Sequence, residues 1–343
     1  MNDNYSEIVL TFAVIDVWNL NDEISNGGSL PGKSVNGTDN PLNGTISLLF
    51  DSWLKNFINS FIMMVCLWGL VGNGTVIWIL GFHVKRNPFT TYILNLSIAD
   101  MGVLISLILT STFVIIVIAF QQINTLPVVF KALLELFFFT YSASQFLLAA
   151  ISIDRCVAVL FPLWHRCRRP SNLSHIACAL IWSLSFLLSA THFALHWTRS
   201  VDNSPVVYQL IGNILFCTPL MLASTLILIV YTCCKPGHHS RQKLVTAILL
   251  ALLFFLVLAV PLNVFYIVKY YYGFHPILMV TGLGCAALNS SINPLIYFLV
   301  GWGQKKGQPK VDLRAEIQRF FKDEPDSKEE QNTMSETFAE HHQ

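Results

Sequence analysis

Between Lys55 and Lys305 the charged residues fall in short clusters, and the stretches separating those clusters are long and apolar. A helix needs about 20 mostly apolar residues to cross a bilayer, because lipid offers no partner to backbone N–H and C=O groups. Seven stretches meet that length: Phe57 to Phe82, Thr91 to Ile118, Val128 to Leu160, Leu173 to Leu195, Val206 to Cys233, Leu244 to Val268 and Pro276 to Val300. The pattern predicts an all-α fold, a seven-transmembrane helix bundle with short connections, spread over residues 56–301. After the seventh span, Gly301 to Gly307 is basic and breaks the helix. Leu313, Ile317, Phe320 and Phe321 then recur at helical spacing beside Arg314, Arg319 and Lys322. This predicts a short amphipathic cytoplasmic helix within 302–322, lying on the lipid of the inner leaflet. Residues 323–343 turn acidic and polar, a disordered tail by composition that carries Ser327, Thr333, Ser335 and Thr337 as phosphate acceptors.

Composition agrees with the pattern. Of 343 residues 54% are hydrophobic and 12% charged, where a soluble domain carries about a quarter charged. The net charge of +1 matters less than where the charge sits. Of the 21 basic residues, Lys33, Lys55, Lys131, Arg199 and Lys269 fall on one side of the predicted spans and the rest on the other. The basic side is cytoplasmic by the positive-inside rule, which puts the N-terminus outside and makes this a multi-pass protein of the plasma membrane. The N-terminal segment 1–55 then holds three N-glycosylation acceptor patterns, at Asn4, Asn36 and Asn43. Its run Ile8 to Ile15 follows acids and lacks a small-residue cleavage pattern, so the first span is expected to act as the uncleaved signal anchor.

Eight cysteines do not make a disulfide framework here. Cys66, Cys156, Cys178, Cys217 and Cys285 fall within spans, and Cys167, Cys233 and Cys234 fall at the cytoplasmic face. No zinc-type spacing, phosphate loop or Ser/His/Asp arrangement is present, and His192 with His196 lacks a third ligand, so no enzyme activity is expected. A nucleic-acid partner is not expected either. A transporter or channel is the rival reading of seven spans, but such folds show internal repeats and broken midplane helices, which this chain lacks. The informative groups are the few polar ones inside the spans, where an ionisable side chain is costly. Asp100 lies inside the second span, Glu135 near the outer end of the third, and Asp154-Arg155 toward its inner end.

These residues resemble a family. Gly72-Asn73-Gly74, Leu96-Ser97-Ile98-Ala99-Asp100, Asp154-Arg155-Cys156, Trp182, Pro219, Pro261 and Asn293-Pro294-Leu295-Ile296-Tyr297 stand in the order and on the spans of rhodopsin-like G-protein-coupled receptors. Lys85-Arg86-Asn87-Pro88-Phe89-Thr90, Cys167-Arg168-Arg169-Pro170 and Asn289-Ser290-Ser291-Ile292-Asn293-Pro294 resemble the Mas-related branch. The missing outer disulfide fits that branch, since Phe130 stands where most receptors of the class have a cysteine. So does Ala259, which replaces the tryptophan most members carry two residues before the span-six proline. Ile227 likewise stands where a span-five tyrosine is usual.

The resemblance implies a cell-surface receptor that binds an extracellular ligand and activates heterotrimeric G proteins by outward movement of span six, with arrestin as a further partner at a phosphorylated tail. It implies no cofactor beyond an allosteric sodium ion at Asp100, Ser144, Asn289, Ser290 and Asn293; the other reading of that set is a hydrated network with Asp100 protonated. Asp154 and Arg155 correspond to a latch, or read locally to an ion pair at a helix end. Pro261 supplies a hinge by removing a helical hydrogen bond. Pro294 and Tyr297 belong to the span-seven activation motif, although a tyrosine near a helix end is also ordinary at a membrane interface. Phe137 replaces the aspartate of amine receptors and Ala287 the lysine of opsins, which argues against both ligand classes. Seven acids against two bases in 1–55 would steer cationic ligands. A peptide or small amphipathic ligand is expected, in a pocket lined by Phe113, Glu135, Phe138, Tyr141, His192, His196, Phe265 and Tyr266.

Overall fold

The computed structural model describes residues 41–84, 86–120, 126–170, 172–197, 205–234, 249–250, 253–254, 257–265, 267–268 and 276–302. The bundle consists of α1 (Pro41–Phe82), α2 (Pro88–Phe120), α3 (Leu126–Leu160), the short α4 (Pro162–Cys167), α5 (Leu173–Trp197), α6 (Pro205–Cys234) and α7 (Pro276–Trp302). The described residues between 249 and 268 are also helical and fall within the sixth predicted span. No strand occurs among the described residues. Residues 1–40 and 303–343, with the predicted cytoplasmic helix and the sites Asn4 and Asn36, lie outside them.

Proline opens α1, α2, α4, α6 and α7. It suits the first turn, where its missing N–H would have no helical partner and its fixed φ is already helical. At α2 the cap is reciprocal: Thr90 N donates to Asn87 Oδ1 (2.7 Å) and Asn87 N donates to Thr90 Oγ1 (2.8 Å). The Asn87-Pro88-Phe89-Thr90 run is thus a helix start built from its own side chains. Helix α1 begins earlier than its hydropathy suggests, since the apolar window Phe57–Phe82 covers 26 of its 42 residues. Hydropathy reports what lipid accepts, while helix continues wherever no breaker intervenes, so Asn43 falls in the first turn of α1. Five helices among the described residues contain apolar windows long enough to span a membrane.

Helix α3 is the hub, packing against α2, α4, α5 and α6, while α1 packs against α2 and α7. Two buried clusters stack along it. One joins Leu96, Ala99, Leu147, Ile151, Met221 and Tyr297, and the other joins Leu104, Leu107, Phe137, Tyr141, Leu262 and Leu283. The outer surface is apolar too: Trp68, Leu180, Phe186, Phe216 and Val230 are exposed, as lipid-facing side chains are.

Apolar contact between helices adds little where lipid is equally apolar, so close approach at small residues and polar links decide how the helices pair. Asn73 Nδ2 donates to the Ser290 carbonyl (2.9 Å) and Ser291 Oγ to the Val65 carbonyl (3.1 Å), joining α1 to α7. Trp182 Nε1 donates to Asn95 Oδ1 (3.0 Å), joining α5 to α2. Asn213 Nδ2 donates to Ser142 Oγ (3.2 Å), joining α6 to α3. At the α2–α3 crossing, a Cβ placed on Gly102 would lie 3.0 Å from Thr140 Cβ, and Thr140 is pinned by its own bond to the Leu136 carbonyl (2.9 Å). Among the described residues, nothing beyond its own stretch of helix lies within 4 Å of a Cβ placed on Gly74. Gly102→Val should therefore lower the thermal stability of the purified protein, by about 1–3 kcal/mol for overpacking. Gly74→Ala should be neutral or stabilising, by about 0.5–1 kcal/mol from the helix propensity gained. Equal melting temperatures for the two variants would contradict the crossing geometry.

Candidate functional site

Asp100 is fully buried in α2, and its two carboxylate oxygens are answered from different helices. Ser144 Oγ on α3 donates to Oδ1 (2.7 Å), and Asn293 Nδ2 on α7 donates to Oδ2 (2.8 Å). Asn289 and Ser290 are buried one turn earlier on α7, with the Ser290 hydroxyl beside the Asp100 carboxylate but less well aligned with it than Ser144 and Asn293 are. Asn73 extends the set to α1 through the Ser290 carbonyl, and its own Oδ1 is buried without a hydrogen-bond partner among the described residues. Three helices thus meet at one carboxylate, and α1 joins them through the α7 backbone. The Asn289-to-Asn293 spacing places both amides on one helix face, one turn apart.

A second charged centre sits at the end of α3. Arg155 Nη2 donates to Asp154 Oδ2 at 2.6 Å and Nε to the same oxygen at 3.2 Å. The Arg155 guanidinium also lies over the Phe89 ring of α2, 4.6 Å from its centroid. The other oxygen, Asp154 Oδ1, pairs with Arg169 Nη2 at 2.7 Å. Arg169 is placed from two sides: Nη2 donates to Ser174 Oγ (2.9 Å) in the first turn of α5, and Nη1 to His165 Nε2 (2.6 Å) on α4. A guanidinium has no acceptor, so His165 Nε2 accepts. That nitrogen is 3.8 Å from Asp154 Oδ2, beyond hydrogen-bond reach. The side chains of Asp154, Arg155 and Arg169 are each under one-tenth exposed. Sequence reasoning gave Arg169 and His165 no role. The basic run before Pro170 was visible, but its partner lies fifteen positions earlier, across a turn.

The third feature lies where the usual tryptophan is absent. Tyr141 OH donates to the Ala259 carbonyl at 2.9 Å, joining α3 to the helical stretch 257–265. Asn263 Nδ2 reaches the same carbonyl (3.1 Å) and the Tyr141 hydroxyl (3.4 Å). Phe137 stacks on Tyr141 with ring centroids 5.5 Å apart and planes 11° from parallel. Pro261 is half-buried within this stretch.

Of the expected pocket residues, Phe138 and Tyr141 are buried beside Phe137, while Phe113, Glu135 and Phe265 are half-buried. Tyr266 and the side chains of His192 and His196 lie outside the described residues. Tyr297 is buried in α7, three residues after Pro294. Cys66, Cys156, Cys178 and Cys217 are buried free thiols, Cys285 is half-buried and Cys167 exposed, so no disulfide joins them.

A buried carboxylate tied to three helices, an acid–arginine pair at the end of α3 and a proline-bearing seventh helix form one arrangement with relatives. The family described as "7 transmembrane receptor (rhodopsin family)" matches residues 72–297. Proto-oncogene Mas of Mus musculus is 34% identical over 285 residues, covering 80% of this chain and 87% of the relative. Mas-related G-protein coupled receptor member D of Homo sapiens is 34% identical over 282 residues, covering 78% and 86%. Mas-related G-protein coupled receptor member A of Rattus norvegicus is 33% identical over 297 residues, covering 82% and 94%. The chain belongs to the rhodopsin family of seven-transmembrane receptors, in its Mas-related, G-protein-coupled branch.

Proposed function

We propose that this receptor stands in the plasma membrane with its N-terminus outside, binds an extracellular peptide or small amphipathic ligand, and activates heterotrimeric G proteins when the sixth span moves outward. The observation that carries the reading is the closed Asp154–Arg155 pair, 2.6 Å, at the end of the hub helix. Releasing Arg155 from Asp154 frees a donor-rich guanidinium for a partner at the cytoplasmic face. Arg155→Ala is then expected to abolish G-protein activation while leaving surface expression intact. A screen of cationic peptides and small molecules with a G-protein dissociation readout measures this, and normal signalling by the variant would sink the latch assignment.

The set around Asp100 suits a sodium ion. Its carboxylate accepts well-aligned hydrogen bonds from Ser144 and Asn293, which leaves lone pairs over, with the Ser290 hydroxyl close by, and Asn73 Oδ1 is a buried oxygen with no partner among the described residues. Oxygen donors around one carboxylate match a small hard cation. Asp100, Ser144, Asn289, Ser290 and Asn293 would hold it, and it would tie α2, α3 and α7 in the latched state. The melting temperature should be higher in sodium chloride than in N-methylglucamine chloride, and Asp100→Asn should erase the difference. A sodium dependence that survives Asp100→Asn means that the carboxyl instead carries a proton in a hydrated network.

Tyr141 takes the position of a trigger. Because Ala259 has no ring to turn, α3 grips the sixth span through a backbone carbonyl, and a ligand touching Phe138 or Tyr141 disturbs that grip. The remaining pocket residues are Phe113, Glu135, His192, His196, Phe265 and Tyr266, with Asn4, Asn36 and Asn43 glycosylated outside, and arrestin meeting the phosphorylated tail. Tyr141→Phe keeps the stacking on Phe137 and loses the bond to the Ala259 carbonyl together with the longer one from Asn263, worth about 1 kcal/mol or more, at least about fivefold in population. Ligand-free nucleotide exchange should rise by that factor. An unchanged basal rate at equal expression would remove Tyr141 from the trigger.

A further inference from the structure

We infer that three buried amides, Gln145 of α3, Asn213 of α6 and Asn263 of the sixth span, enclose a site for internal water beside the Tyr141 hydroxyl. The set lies apart from Asp100. Ser144 serves that carboxylate on α2, while nearby positions of α3 turn to other helices, Tyr141 OH donating to the Ala259 carbonyl (2.9 Å) and Ser142 Oγ accepting from Asn213 Nδ2 (3.2 Å). Gln145 follows Tyr141 by one helical turn and lies beside its hydroxyl without a well-aligned bond to it. Each of the three amides is at most 2% exposed. Yet Gln145 Oε1, Asn213 Oδ1 and Asn263 Oδ1 have no hydrogen-bond partner among the described residues, and Gln145 Nε2 has no well-aligned one. Buried amide groups left unanswered are penalised, so three of them around one hydroxyl call for a shared partner. Three acceptors and one amide nitrogen ask for a small molecule that both donates and accepts, as water does in buried sites, with about three hydrogen bonds. A cation would also suit the oxygens. The described neighbours of the Tyr141 hydroxyl, however, are amides, a main-chain carbonyl and the thiols of Cys217 and Cys285, so a cation there would lack a counter-charge. Water also explains how so buried a link can open. Broken in a dry interior, the Tyr141 bond leaves its hydroxyl unpaired, whereas beside water the hydroxyl finds a replacement. This role in release rests on the receptor reading above, and the water site does not.

Radiolytic hydroxyl-radical labelling of the purified full-length chain in nanodiscs, begun just after mixing into heavy-oxygen water, tests the site with water itself as the probe. Tyr141 should be labelled despite its burial, and with the light oxygen of water retained inside the protein. Gln145→Leu combined with Asn213→Leu should abolish that label. No label on Tyr141 in the wild-type protein, a label carrying the heavy oxygen from the start, or a label that survives the double variant would each overturn the enclosed water. The first two outcomes need no variant, so the site stays testable if the double variant fails to fold. The role in release is read from ligand-free nucleotide exchange on purified heterotrimeric G protein. The double variant should lower the rate by about fivefold or more, since opening then strands the Tyr141 hydroxyl. In the Tyr141→Phe background the same two changes should have no effect. An unchanged rate, or an equal fall in both backgrounds, would overturn the part played by water in release. If the wild-type protein stimulates no exchange while the label behaves as expected, the receptor reading and the release role fail together and the water site stands.

Discussion

A carboxylate in the middle of a hydrocarbon slab must have its lone pairs answered, and Asp100 imposes that condition on the whole bundle. Its partners come from α3 and α7, and the α7 turn that brings Asn293 to it also presents the Ser290 carbonyl to Asn73 of α1. Moving any one of these helices by about 1 Å would stretch these bonds beyond hydrogen-bond reach and leave a buried polar atom unpaired. Apolar packing alone would not fix these positions, since each of those helices could bury the same surface in lipid at almost no cost. The remaining links between helices follow the same economy: an indole to an amide, an amide to a hydroxyl, a phenol to a carbonyl.

What was legible in the sequence follows from which partner carries the information. Spans are written in hydropathy, and the Asp100 set is written in side chains at the right turns of α2, α3 and α7. The adjacency of Asp154 and Arg155 needs no fold at all. The Tyr141–Ala259 link could not be read, because the acceptor is a main-chain carbonyl that every residue has; only the missing tryptophan was visible. The Asn73–Ser290 link is hidden for the same reason. Arg169 was hidden differently. Its chemistry was plain, but a turn through α4 and Pro170 brings it back to Asp154, and no periodicity encodes that return. Helix α1 starts at Pro41, ahead of the apolar window Phe57–Phe82 that the sequence shows, because hydropathy measures solvent preference and leaves helix continuity unmeasured.

The three centres also differ in what they resist. Asp100 gathers α2, α3 and α7, so it opposes their separation. Tyr141 joins α3 to the sixth span through neutral hydrogen bonds only, to the Ala259 carbonyl and from Asn263, each of them weak beside a charge-assisted pair. The acid–arginine cluster is the strongest set of contacts, being charge-assisted and nearly dry, yet it sits where movement must occur if a partner is to be met.

The geometry of Asp154 bears on that tension. Its two oxygens serve different guanidiniums, Arg155 on α3 at 2.6 Å and Arg169 at 2.7 Å, so its charge does not rest on one pair. Arg169 is oriented in turn by a serine hydroxyl on α5 and an imidazole nitrogen on α4. A buried carboxylate stripped of its partners is strongly penalised, so two guanidiniums on separate oxygens hold it more firmly than one would. The turn after α3 is thus tied to the same carboxylate as Arg155, and a change in its conformation is felt at the Asp154–Arg155 pair.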